Sequence, residues 1–472
     1  MPQTYTAWKS ISFVALWFAA LAGSLSVVAA SETKFVGSQT CNSVSCHGRT
    51  EPRRVSGGVN GASLQEFALY ERHDPHVKAA KTLASPEFQA IIGKLSERPA
   101  GPTRATVYHQ CAQCHDPEGM AAEAVPSSAV SHGISCETCH GGGKGWLAQH
   151  YERDVSRSSL VALGMRDTKD LHVRGDLCAS CHVGGALKNV NHDMLAAGHP
   201  PLRFELAAYH RKLTSHDEDG KRSHWNDARE RIGTKDLEVK LWEAGQIASA
   251  KAALALLESR AHAGASWPEF AEYDCFSCHQ RLRPSDGNRR AVAGLPQWGQ
   301  WNLVFAGPAA DSKVLNTLRD EMRQSFASQP HVVKVAASNV RKSLGTSLFL
   351  EDATSSQLLK LPAEPSEASK SWEALCQRYL AQRVLEKSIG DEFRKLELAG
   401  RISTSDRVSF NKQRGEIDHD LAAVGLQLSF ADNKREWPRV LAIPQGIEQV
   451  ESDLTATAGK LRMLQAFLEP RR

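Results

Sequence analysis

"GISCETCHGGG", residues 133–143, decides the fold, because its centre, Cys136-Glu137-Thr138-Cys139-His140, is one of a set. The same Cys-x-x-Cys-His pattern stands at Cys111/Cys114/His115, at Cys178/Cys181/His182 and at Cys275/Cys278/His279. At this chain's own Cys and His frequencies one such pattern arises by chance roughly 0.01 times, so four are not accidental. A fifth stretch, "CNSVSCHG" at 41–48, keeps Cys46 and His47 adjacent but sets four residues between Cys41 and Cys46. Ten of the 11 cysteines thus form five close pairs, each followed at once by His; Cys376 alone is left over.

Covalent attachment of haem c needs this spacing. Two thiols add across the two vinyl groups of the porphyrin, and the adjacent imidazole is carried beneath the ring as the proximal iron ligand. Zinc is the rival, but it needs two pairs converging and has no use for a His directly after each. A Cys-x-x-Cys disulfide belongs to redox chemistry more than to structural stapling. The reading is five covalently attached haem c groups, with His47, His115, His140, His182 and His279 as proximal ligands. At Cys41/Cys46 the reaction fixes only the second Cys and its His, so extra residues can bulge between the thiols. A disulfide or an unmodified thiol pair is the alternative there. Cys376, within "WEALCQRYLAQRVLEKS", reads as a buried thiol in a helix.

Of the 19 histidines, 14 remain, and only His331 and His419 lie beyond residue 300. That skew points to distal ligands, since a low-spin haem that only passes electrons takes a sixth ligand, usually His in such proteins. His132 lies just before the third motif, His76 in "ERHDPHVKAA" opens a helical pattern with small residues, and His150 follows the glycine-rich turn. His192 and His199 are seven apart, about two helical turns, and can point the same way. These five are the distal candidates. His73, His109, His172, His210 and His262 are reserves, and His216 and His224 sit in a charged, exposed-looking stretch.

The order "CNSVSCH", "HDPHVKAA", "CAQCH", "GISCETCHGGG", "AQHY", "CASCH" resembles the cytochrome c-554-type multihaem cytochromes of nitrogen metabolism, over roughly residues 35–185. The resemblance implies a mostly helical fold with stacked haem pairs and electron shuttling from hydroxylamine oxidation. It implies His76 as distal ligand to the third haem and His150 as that to the first. The fifth motif, the expanded first motif and the long C-terminal extension depart from that family. So does His132, which stands where one haem of the family lacks a sixth ligand.

The 472 residues suffice for two domains or more. Residues 1–30 carry Lys9 as their only charge, an apolar run from Ile11 to Ala29 and a small-residue site at Val28 and Ala30. That reads as a signal peptide and a periplasmic location, with an uncleaved anchor over 11–30 as the alternative. A net charge of +4 without a clustered basic stripe argues against nucleic acid as a partner. The class is mainly α: a haem-rich domain of short helices and loops over 31–305, then an α-helical domain over 306–472. The first domain includes one long regular helix over 235–264, and helices are expected over 311–328, 371–388, 416–430 and 447–469, with a loop over 351–371.

The leading function is an exported pentahaem electron carrier in a respiratory or nitrogen/sulfur redox chain, with redox proteins as partners. The alternative is a multihaem oxidoreductase of the nitrite, hydroxylamine or tetrathionate type with one open-site haem, although Cys-x-x-Cys-Lys is absent. A third reading has the helical region docking the protein into a membrane-associated redox complex. No nucleophile elbow, P-loop or acidic metal cluster is present in the C-terminal part.

Overall fold

The computed structural model describes residues 34–51, 64–98, 101–121, 133–152, 154–214, 234–262, 266–275, 296–324, 328–349, 354–360, 371–428 and 447–471. The expected signal peptide lies outside these. Among the described residues the protein is mainly helical, with 17 α-helices, and its strand-like pairings are two isolated bridges, Gly185–Lys188 and Tyr273–Trp298. No described helix is long and apolar enough to cross a membrane.

Over residues 34–214 the described helices have 12 residues or fewer, and several are started by a side chain. Ser85 Oγ accepts from Phe88 N at the start of Pro86–Ser96, and Thr103 Oγ1 from Thr106 N at the start of Arg104–His115. Asp170 caps His172 and Val173, and Asn191 caps Met194. Such caps satisfy amides that short helices cannot pair internally. A small apolar cluster (Phe88, Ile92, Leu95, Val107, Met194 and neighbours) joins the helices Pro86–Ser96, Arg104–His115 and His192–Ala197.

Leu237–Arg260 is the pillar of the molecule. The sequence predicts one apolar stripe, but the helix is buried on nearly every side, including Glu238, Glu243, Gln246 and Arg260. Its polar groups pair inside the protein instead. Glu238 meets Arg211 at 2.8 Å, Glu243 accepts from Ser347 Oγ and Leu348 N, and Gln246 meets Gln377. Arg260 holds Glu272 at 2.6 Å. Two glycines permit its closest contacts. A Cβ on Gly175 would lie 3.1 Å from both Ala244 O and Ala248 Cβ, and one on Gly245 would lie 2.4 Å from Leu206 Cβ. Gly175 thereby seats the helix Leu171–His182, which ends in the fourth motif, on the pillar.

The C-terminal half supplies Ser312–Gln324, Pro330–Ser343, Trp372–Leu398, Thr404–Gln427 and Ile447–Leu468. Pro330–Ser343 adds to the four helices that the periodicity predicts. Its buried positions, Val333, Ala336, Ala337 and Val340, follow the helical period, and Pro330 sits at the helix start. The 416–430 pattern is the second half of a helix begun at Ser403, whose hydroxyl and the Asp406 carboxylate form a capping box. Within 351–371, Ser355–Leu358 is a single helical turn rather than loop. The core runs through the expected boundary at 305/306: one cluster joins Ala179, Phe204, Trp242, Trp301 and Phe305 to Leu375, Phe410 and Leu468.

Candidate haem-binding sites

The second and fourth motifs form the last turn of helices Arg104–His115 and Leu171–His182, and the third is a one-turn helix of its own, Cys136–His140. Positions i, i+3 and i+4 share one helix face, so a helical turn presents both thiols and the imidazole together. The first motif cannot do this. Cys41 ends a 3-10 turn, His47 N donates to Cys41 O, and Cys46 N and Gly48 N both return to Ser43 O. The four intervening residues fold outward into a tight turn, with Val44 69% exposed. Of the fifth motif, Cys275 is described; Cys278 and His279 lie outside the described residues, as does His132.

An imidazole nitrogen binds a first-row metal at about 2 Å, so two rings facing one another across a single ion have centroids roughly 6 Å apart. Among the described residues three such pairs are present. His47 and His150 are 6.2 Å apart and nearly parallel at 26°, His76 and His182 are 6.0 Å apart at 71°, and His115 and His199 are 6.5 Å apart at 81°. In each pair one ring comes from a Cys-containing motif and the other from the distal candidates. His76 faces the fourth motif here, not the third as the resemblance implies. The setting is local: the turn Pro75–Lys78 packs on the helix Ala79–Thr82, which lies against Arg104–His115, and His115 donates Nδ1 toward Ala79 O. His192 lies beside the segment leading to Cys275, its ring 5.6 Å from Phe270 and its amide on Glu269.

Five of the six rings are held through Nδ1, as metal-ligating histidines commonly are. Nδ1 of His47 donates to Glu66 at 2.9 Å and that of His76 to Asp74 at 2.8 Å. His150 uses Leu147 O and His199 uses Pro200 O. The hydrogen bond that His47 donates to Glu66 raises its pKa. Burial, with the neighbouring His76 and His115 rings, pushes that of His182 down to about 3 and keeps it a neutral donor. Phe204 stacks on His182 at 5.4 Å. Among the reserves, His210 is spent on Arg174, Nη1 to Nε2 3.0 Å, while His109, His172 and His262 are exposed.

The thiols meet across motifs. Cys41 hydrogen-bonds with Cys136, which lowers the first and raises the second, and Cys114 hydrogen-bonds with Cys181. Cys181, also held by Lys188 Nζ at 3.0 Å, drops to about 5. Burial raises Cys139 to about 12, with Cys178 adding to it. Carboxylates that the sequence reading passed over hold the motifs in place. Glu118 accepts from the backbone and hydroxyls of Ser135 and Thr138, and Glu137, inside the third motif, accepts from Val36 N, Gly37 N and Gly143 N. Asp74 was legible as the first residue of "DPH", an Asx turn two residues before a ligand candidate. Nothing local marks Glu66, which reaches His47 across 19 positions.

Residues 62–141 match the family model for cytochrome c554 and c-prime. The matched segment contains the second and third motifs and His76. No curated protein and no solved structure matches the chain. The donor set agrees with the match: paired thiols, an adjacent imidazole, and a second imidazole at metal-spanning distance. The match and the donor set together support a c-type cytochrome with covalently bound haem c.

Proposed function

We propose that the protein is an exported pentahaem cytochrome that carries electrons between redox proteins in a respiratory or nitrogen/sulfur chain. Haem c, when bound, supplies reversible one-electron exchange at iron. In this reading Cys41/Cys46, Cys111/Cys114, Cys136/Cys139, Cys178/Cys181 and Cys275/Cys278 hold the five groups. His47, His115, His140, His182 and His279 would each supply one iron ligand, and His150, His199 and His76 would supply the second at the first, second and fourth sites. His192 belongs with the fifth site and His132 with the third. The observation that carries the reading is the set of three facing imidazole pairs, since a pair of fixed donors leaves an iron no position for substrate. The nearness of Cys41 to Cys136 and of Cys114 to Cys181, with Cys139 feeling the charge of Cys178, supports a row of sites in the order first, third, fourth, second, which suits a carrier. The long C-terminal helices brace this row through the pillar and offer the surface for docking in a larger, membrane-associated complex.

The test is the ferric EPR spectrum of the loaded protein, with CO added after reduction. The parallel His47/His150 pair is expected to give an ordinary rhombic low-spin signal, and the two crossed pairs strongly anisotropic low-spin signals, without CO binding. A mature mass with five haems is expected. High-spin signals at these sites together with CO binding overturn the reading and favour an oxidoreductase with an open-site haem.

A further inference from the structure

The imidazoles facing one another differ in what stands behind them. His150, His115 and His199 give Nδ1 to peptide carbonyls at 2.6, 3.3 and 2.8 Å. His47 and His76 give theirs to carboxylates, Glu66 at 2.9 Å and Asp74 at 2.8 Å. The first site therefore has one carboxylate-backed ring, the fourth has one, and both rings of the second rest on neutral carbonyls.

We infer that Glu66 and Asp74, which contact no metal themselves, are positioning residues that lower the reduction potential of the first and fourth sites relative to the second. The inference rests on the axial pairs proposed above. A carboxylate that accepts Nδ1–H draws the proton toward itself, and the ring becomes a stronger donor at Nε2. Reduction adds one electron and turns iron(III) into iron(II), so a fixed negative charge behind the ligand opposes it. A peptide carbonyl orients the ring without adding net charge.

Exposure ranks the two. The Asp74 side chain is 5% exposed and that of Glu66 27%, so solvent screens Asp74 less. Asp74 Oδ1 also accepts from His76 N at 2.8 Å, which holds the carboxylate in place behind the ring. The row of sites thus acquires a slope, with the second site, at its end, the most readily reduced of the three paired ones.

The test is a mediated spectroelectrochemical titration, resolved by EPR, of the fully loaded protein and of Glu66→Gln and Asp74→Asn. Each variant is expected to raise one midpoint potential and leave the others in place, the Asp74→Asn shift being the larger, with all low-spin signals retained. Asp74→Glu, which keeps the charge, is expected to keep the parent potential. Parent-like titration of both neutral variants overturns the inference, and so does a shift in Asp74→Glu equal to that in Asp74→Asn. Should Asp74→Asn fail to load, the unshifted or shifted potential of Glu66→Gln decides. The axial pairs fail separately, if His150→Met and His199→Met leave the low-spin spectrum unchanged.

Discussion

Residues 34–214 and residues 306–471 are both helical, yet different forces hold them. In the first region no described helix exceeds 12 residues, the apolar cluster is small, and Asp116, Glu118, Glu137, Arg174 and His210 are buried. In the second, helices of 22 to 27 residues stack Leu375, Phe410, Leu421, Leu454 and Leu464 in a continuous apolar core. The first region spends its sequence on thiols, imidazoles and the carboxylates that orient them, so the prosthetic groups must complete its interior. The second is filled by apolar side chains, and its core continues through the pillar to Ala179 and Phe204.

The largest effect that can break this contrast is withholding haem. Protein made without covalent attachment is expected to exchange the amides of 34–214 rapidly while Trp372–Leu398 and Thr404–Gln427 stay protected, as read by hydrogen exchange. Equal protection of both regions would remove the distinction. Next comes the apolar core itself. Phe410 is fully buried and stacked on Phe393 at 3.9 Å, so Phe410→Ala should cost about 3–5 kcal/mol in denaturant unfolding. The haem spectrum should be unchanged, because the cost falls on the other region.

Glu137 sharpens the same contrast from the haem side. Its carboxylate is buried and accepts from three backbone amides that tie residues 36, 37 and 143 to the third motif. Glu137→Ala leaves those amides without their acceptor and should cost about 2–3 kcal/mol. The loss should appear as protease sensitivity near 34–48 and a changed signal from the first site, with the C-terminal helices untouched.

What the sequence disclosed follows the same division. The motifs were legible because covalent chemistry fixes residue type and spacing, and the long helices because their apolar positions repeat. The resemblance implies the third motif for His76, whereas its ring stands beside His182 of the fourth, since such a pairing depends on how the turn 75–78 lies against its neighbours. The pillar read as amphipathic because Glu238, Glu243 and Arg260 look like a solvated face; their partners Arg211, Ser347 and Glu272 stand far away in sequence or in another element. Pro330–Ser343 stayed hidden behind its many polar residues, and Glu66 behind its distance from His47.

The smallest effect sets the regions apart by the sign of their pH dependence. Asp406 accepts from Arg471 at 2.6 Å, and that hydrogen bond, with those from Ser403, holds its pKa at about 2. A depressed carboxyl stabilises above its unfolded pKa, about 3.9, and the contribution is lost as pH falls through about 2. Glu118 is the opposite case: burial raises its pKa despite its hydrogen bonds from Ser135 and Thr138. Its contribution is complete below the unfolded value, about 4.3, and is lost as pH rises through the folded one. Acidification below pH 4 should therefore loosen the Arg471 end of the last helix, and Asp406→Asn should flatten that change. Over pH 4 to 7 Glu118→Gln should remove the part of the pH dependence seen at residues 133–140. Hydrogen exchange at the two places reads both, and a loss of the same sign at each would show that Glu118 is held by its donors more strongly than burial opposes it.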